Sequence, residues 1–190
     1  MASDKQTGRL TVVHGSMFAG KTEKMIAWLR HAEQEGKIVR AFKHSIDVRY
    51  DADHLITHTQ DRFPAVRIST AEAILDQSAG VECVAIDEGH FFTPSLVQVV
   101  ETLLQRGVSV MVAGISNDIW GRPFVPMPDL ASIADRVEAC LSPCRVCGEP
   151  AEFTQRMVPV TSRTMVGGVG EYEPRCGQHF TPLSEPPEEL

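Results

Sequence analysis

Residues 10–36 read LTVVHGSMFAGKTEKMIAWLRHAEQEG: an apolar run, a glycine-bounded loop ending in Lys21-Thr22, and an amphipathic stretch that stops at a glycine. Leu10–His14 is predicted to be a strand. Lys21–Glu35 is predicted to be a helix ending at Gly36, in the way helices commonly terminate. Between them Gly15, Ser16, Met17, Phe18, Ala19, Gly20, Lys21 and Thr22 spell a phosphate-binding loop. The glycines let backbone N–H groups wrap phosphates at a helix N-terminus. Lys21 neutralises β/γ-phosphate charge, and the Thr22 hydroxyl reaches Mg²⁺. A glycine-rich turn that happens to precede a helix would share the composition, but the strand–loop–helix context argues against it.

Outward from this stretch, short β-branched apolar runs continue to alternate with amphipathic segments, the pattern of an α/β domain with a largely parallel sheet. Further strands are predicted at Ile38–Phe42, Ala65–Ile68, Val81–Asp87 and Ser109–Gly114, with helices at Thr70–Gln77 and at Thr93–Gln105, the latter stopped by Gly107. The stretch from Lys43 to Pro64 is polar and aperiodic, a surface loop whose length points to function. Prolines at 123, 126 and 128 interrupt the chain before a short helix at Leu130–Ala134. The expected organisation is a nucleotide-binding domain over residues 1–134, a second module over 135–180, and a tail over 181–190 too polar and Pro-rich to pack.

A chain of 190 residues with 43% hydrophobic content can bury one good core and carry a small appended module. Its 18 basic and 25 acidic residues give a net charge of −7, and no Lys/Arg cluster offers a footprint for a nucleic-acid backbone. No apolar run approaches the roughly 20 residues of a membrane span, and MASDKQTGR lacks the apolar stretch of a signal peptide. A soluble, cytoplasmic protein is therefore expected. The five cysteines are an odd number, and two stand at C-x-x-C spacing, which in a cytosolic chain points to metal rather than disulfides.

Two further constellations carry chemistry. Val84-Ala-Ile-Asp87-Glu88 is an apolar strand ending in two carboxylates. Downstream of a phosphate-binding loop, the first of such a pair holds the Mg²⁺ shell and the second takes a proton from an attacking hydroxyl. Cys144-x-x-Cys147 and Cys176-x-x-His179 are pairs whose short bite suits one tetrahedral ion, and four N/S ligands close the site, so a structural zinc is expected. Cys83 and Cys140 lie in apolar runs and read as packing residues. Arg49 is a candidate phosphate contact, although a lone loop arginine is more often solvated. Phe91 and Phe92 read as core aromatics whose place beside the acidic pair suggests base stacking. His90 has no spacing partner that would make it a ligand. Trp120 reads as surface or interface.

Taken together, residues 8–180 resemble the type II thymidine kinases, the cellular, zinc-containing family. The likeness lies in Met17-Phe18-Ala19-Gly20-Lys21-Thr22, in Asp87-Glu88 followed two residues on by Phe91-Phe92, and in Asp47, Arg49 and Tyr50 of an Asp-x-Arg-Tyr loop. It extends to the quartet Cys144, Cys147, Cys176 and His179, and to Val166-Gly-Gly-Val-Gly-Glu-Tyr172, which is similar to the family's nucleoside-gripping lasso.

This resemblance implies a RecA-like P-loop domain, a small zinc-binding domain with a lasso loop, and a homotetramer. It implies ATP-dependent phosphorylation of the 5′-hydroxyl of thymidine, and of deoxyuridine, in deoxynucleotide salvage, with thymidine triphosphate as feedback inhibitor. Glu88 would be the general base, Thr22 and Asp87 would serve Mg²⁺, and Arg49 would assist near the phosphates. Met17, Ile115 and Thr154 would surround the thymine methyl group, Phe91 and Tyr172 would pack on base and sugar, and Phe124 would lie alongside. Main-chain groups of Met165, Val166, Gly167 and Gly168 would hydrogen-bond the base edge. The chain departs from the family pattern at Gly89-His90, where many relatives carry Ala or Val and then Gln, and at Ile119-Trp120, where relatives carry Phe before Arg or Gln. Two other readings of the residues remain: a P-loop kinase or ATPase with a different acceptor, such as deoxycytidine or a nucleotide, and a nucleotide-gated zinc module that binds nucleic acid or a protein and merely hydrolyses ATP slowly.

Overall fold

The computed structural model describes residues 7–47, 53–57, 59–159, 167–168 and 170–184. Strand β1 (Leu10–Gly15) runs into the glycine-bounded loop and then helix α1 (Lys21–Gln34). Strands β2 (Val39–His44), β3 (His54–Ile56) and β4 (Arg62–Ile68) follow, then α2 (Glu72–Asp76), β5 (Cys83–Asp87), α3 (Ser95–Gln105), β6 (Ser109–Ile115), α4 (Met127–Ile133) and β7 (Arg136–Cys140). They form one seven-stranded sheet in the order β3-β4-β2-β5-β6-β1-β7. Every pairing in it is parallel except β3 with β4. The α/β expectation with a largely parallel sheet is met.

The sheet is covered on both faces because its strands alternate apolar residues of two kinds. Leu10 and Val12 of β1, Val84 and Ile86 of β5, and Val110 and Val112 of β6 pack with Leu96, Val100 and Leu103 of α3, Ile74 of α2 and Leu130 of α4. The intervening Val13, Ala41, Ala85, Met111 and Ala113 receive Met25, Ile26 and Leu29 of α1. This period of two in the strands against 3.6 in the helices is what the sequence pattern encodes. Shaving one such fully buried side chain, Leu29 for example, to Ala costs about 2–5 kcal/mol.

Several elements differ from the sequence reading. β7 falls in the segment assigned to the second module, yet it pairs along β1, so the change of composition at Asp135 marks an edge strand of the large sheet. Its residues are mostly exposed, which removes the apolar alternation that identifies a strand. The stretch 43–64 is more than a surface loop: it carries β3, and Lys43, Asp47 and Thr57 are buried. Helix α4 begins three residues before the expected Leu130, with Pro128 in its first turn, where a missing N–H is harmless.

Beyond β7 the described chain builds two small hairpins, β8 (Ser142–Pro143) with β9 (Pro150–Ala151), and β10 (Phe153–Arg156) with β11 (Tyr172–Arg175). Phe153 stacks on Phe180 at 4.5 Å, and the Gln155 side chain bonds both the N–H and the C=O of Thr181. Trp120 Nε1 donates to the carbonyl oxygen of the exposed Ser184, which ties the start of the 181–190 tail to the domain; residues 185–190 lie outside the described part.

Candidate active site

Parallel strands deliver their carboxyl ends to one edge, where ligands of open α/β sheets bind. Here that edge collects the loop after β1, Asp87 at the end of β5 and Ile115 at the end of β6. Gly15 is required at the start of the loop: a Cβ there would lie 1.9 Å from the carbonyl oxygen of Cys140 on β7. Gly20 caps α1 in the left-handed conformation (φ 78°) and brings no side-chain cap, which leaves the first N–H groups of α1 to an anion. Lys21, 9% exposed, donates to Ser16 O at 2.7 Å and Gly15 O at 3.5 Å. Met17, Phe18 and Ala19 line the cleft between them.

Thr22 and Asp87 lie 65 residues apart and meet at 3.1 Å, Thr22 Oγ1 donating to Asp87 Oδ2. The other Asp87 oxygen accepts the N–H of Glu88 at 2.9 Å. Glu88 itself sits at φ 53°, ψ 43°, a left-handed conformation that costs a non-glycine residue about 1–3 kcal/mol and is concentrated at functional sites. Its Oε2 lies 3.5 Å from Nδ1 of the buried His90, which also accepts the N–H of Ile115 at 3.2 Å. Behind the loop, burial, reinforced by the Lys21 ammonium, holds the His14 imidazole below its ordinary value against the opposing pull of Glu152. At neutral pH it is therefore an uncharged partner for Ser116 Oγ, at 2.8 Å.

The opposite wall contains residues that sequence reasoning missed. Lys43, 2% exposed, stands directly across the β2–β5 ladder from Asp87 and lines the same cleft with His54 and Thr57, beside Asp47 of the Asp-x-Arg-Tyr loop that the sequence already singled out. The only signal for Lys43, His54 and Thr57 was the length of the 43–64 stretch. Arg49, assigned to the phosphates, lies outside the described residues, as do Met165 and Val166 of the lasso.

Of the residues assigned to a nucleoside, Met17 and Tyr172 share a buried cluster with Ile119, and Phe18, Ile115, Trp120 and Leu183 pack around it. Ile119 thus fills apolar space beside Met17 and Tyr172. Thr154 joins the cluster's edge by accepting the Met17 N–H at 2.9 Å. Phe91 and Phe124 flank His90 at 4.2 and 4.8 Å, whereas Phe92 is core. Tyr172 accepts a hydrogen bond from Arg156 at 2.6 Å, and Gly167 rests against its ring. Gly168 lines the cleft, held by its N–H to Glu171 Oε2 at 3.1 Å.

The predicted metal quartet converges. Ligand atoms of Cys144, Cys147, Cys176 and His179 all lie within 4.8 Å of one another, with 3.7 Å between Cys147 and Cys176 sulfurs and 3.3 Å from Cys176 Sγ to His179 Nδ1. A tetrahedron with zinc–sulfur bonds of about 2.3 Å has edges of about 3.8 Å, so these residues fit a zinc ion. Each pair sits in a tight turn, Gly148 N–H bonding Cys144 O and His179 N–H bonding Cys176 O. Burial pushes the Cys144 thiol up, but N–H groups of Cys176, Val146 and Cys147 outweigh it and bring it down to about 6. Such N–H groups stabilise a metal-bound thiolate. Cys83 and Cys140 are buried free thiols outside the quartet, as expected of packing residues. One zinc per chain is expected from metal analysis after purification under reducing conditions, and Cys176→Ser should lower the thermal midpoint together with the zinc content. Zinc-free protein with an unchanged midpoint would contradict this.

Comparison with known proteins covers nearly the whole chain. The family model described as thymidine kinase matches residues 8–180, from the first residues before β1 to the stretch just past the metal quartet. The thymidine kinase of Porphyromonas gingivalis is 36% identical over 187 residues, covering 98% of this chain and 92% of that one. That of Bdellovibrio bacteriovorus is 40% identical, covering 95% and 89%, and that of Coprothermobacter proteolyticus 39% identical, covering 92% and 91%. With the glycine-bounded loop, the acidic pair and the Cys₃His quartet all inside one continuous match, the chain belongs to the thymidine kinase family.

Proposed function

We propose that the chain transfers the γ-phosphoryl group of ATP to the 5′-oxygen of thymidine, and of deoxyuridine, with Glu88 as general base. The observation that carries this is the Thr22–Asp87 hydrogen bond, which joins the phosphate-binding loop to the acidic pair in one cleft and leaves Glu88 beside it. Lys21 and the N-terminus of α1 would hold the donor phosphates, with Arg49 assisting. The cluster of Met17, Ile115, Thr154 and Tyr172 would hold the thymine, flanked by Phe91 and Phe124 and closed over by residues 165–168. Glu88 takes the proton of the 5′-hydroxyl as that oxygen bonds phosphorus and the bond to the bridging oxygen of ADP breaks. Positioning and charge stabilisation account for most of the acceleration, because this transfer asks little covalent chemistry of a protein.

Mg²⁺ held by Thr22 and Asp87 would supply charge neutralisation at the β- and γ-phosphates. Zinc held by the Cys₃His quartet would fix the fold of the small module. Likeness to the family alone supports four further features: a role in thymidine salvage, feedback inhibition by thymidine triphosphate, a homotetramer and a cytoplasmic location. No helix among the described residues is long and apolar enough to cross a membrane.

A panel of nucleosides and nucleotides, assayed with ATP and purified protein, tests the reading. Monophosphates of thymidine and deoxyuridine are the expected products. Preference for deoxycytidine or for a nucleotide acceptor would replace the substrate assignment. ATP hydrolysis with no phosphorylated nucleoside would replace the reaction itself.

A further inference from the structure

The first two variable residues of the phosphate-binding loop are held by the small module. Ser16 is fully buried, and its Oγ lies 3.2 Å from the carbonyl oxygen of Ala151 and 3.0 Å from Ser142 Oγ. A carbonyl only accepts, so the one hydroxyl hydrogen of Ser16 goes to Ala151, and Ser142 must donate to Ser16. Ser142 and Ala151 face each other across β8–β9, and the turn of that hairpin carries Cys144 and Cys147. Ala151 also packs against Cys144 and Cys176. The Ser16 hydroxyl therefore bridges the base of the metal-bearing hairpin. On the next residue, the Met17 N–H donates to Thr154 of β10 at 2.9 Å. On its other side, Ser16 presents its own carbonyl to Lys21 Nζ at 2.7 Å.

We propose that Ser16, Ser142 and Thr154 are positioning residues that fasten the phosphate-binding loop to the metal-bearing hairpins, so that donor-nucleotide binding and metal retention are linked. This rests on the reading of the loop as the donor-phosphate site. Opening the hairpin at Cys144 and Cys147 separates Ser142 from Ala151, removes both partners of Ser16, and frees the carbonyl that orients Lys21. Linkage is reciprocal: if the metal favours the ordered loop, a nucleotide that needs the ordered loop must favour the bound metal by the same factor.

The test measures zinc release from the purified full chain to a chromogenic chelator, with and without saturating MgADP. In the wild type, MgADP should slow release by at least about fivefold, the lower end of ordinary coupling between sites. Ser142→Ala, which leaves every residue of the loop in place, should bring that ratio close to one at MgADP concentrations shown by calorimetry to saturate the variant. Thr154→Val, of nearly the same shape, should reduce it as well and serves if Ser142→Ala folds poorly. Equal slowing in the variants and the wild type would overturn the proposal, since a merely structural role leaves the ratio unmoved. So would release that ignores MgADP in a wild type that binds it. A wild type that binds MgADP no better than Lys21→Ala would instead bring down the donor-site reading, and the proposal with it.

Discussion

Lys21→Ala should lower turnover with thymidine by at least roughly 10²–10³-fold, the loss seen when one preorganised donor to developing charge is removed. The side chain is nearly buried, but its partners are loop carbonyls rather than apolar core: Ser16 O at 2.7 Å and Gly15 O at 3.5 Å. On the proposed reading its charge serves phosphate, and its loss leaves the packing of α1 through Met25, Ile26 and Leu29 untouched. The thermal midpoint and zinc content of the variant should match the wild type. Near-normal turnover in such a folded variant would show that the loop is not the donor site.

Glu88→Gln should reduce turnover by roughly 10²–10⁴-fold with ATP affinity little changed, because Gln keeps size and much of the hydrogen bonding while losing the ability to accept a proton. A loose transition state needs proton removal only late, which favours the lower end of that range. The left-handed backbone at residue 88 makes Gln a better probe than a smaller or branched residue, since its backbone demands resemble those of Glu. Asp87→Asn should behave differently and raise the Mg²⁺ requirement as well, because Asp87 meets Thr22 rather than facing the acceptor side. If Glu88→Gln keeps more than about a third of wild-type turnover, with thymidine saturating and chemistry rate-limiting, Glu88 is not the base. Asp47, buried on the wall of the same cleft, is then the next candidate.

The parts of this molecule that could be read in its sequence are those whose signal is local. A strand, a glycine-bounded loop and a helix in direct succession identify β1, the loop and α1 to within a residue. A C-x-x-C and a C-x-x-H identify the quartet whatever fold joins them. What could not be read is whatever depends on a distant partner. β7 is recognisable as a strand only beside β1, and Lys43 as a cleft residue only once β2 lies along β5. Ser16 reads as one more residue of the phosphate-binding loop, and Ser142 as nothing at all, until the fold brings them together across 126 positions of sequence. The Gly89-His90 departure also acquires a physical content: His90 is a buried acceptor for Ile115 N–H, wedged between Phe91 and Phe124.

The position of β1 between β6 and β7 has a consequence for how the protein is made. β1 precedes the other strands of the large sheet along the chain, yet both of its neighbours are among the last of them, and the bond from Leu10 N–H to Asp135 spans 125 residues. At about 5–20 residues per second, that separation corresponds to about 6–25 s of synthesis. Until β6 is made the nascent β1 has neither edge paired, and until β7 follows one edge stays open and the glycine loop lacks the Cys140 strand end against which it packs. Parallel pairing over such separations is intrinsically slow and exposed to aggregation. The glycine-bounded loop that follows β1 thus gains its last flanking strand only once β7 has been made, and the open edge of β1 stays exposed in the meantime.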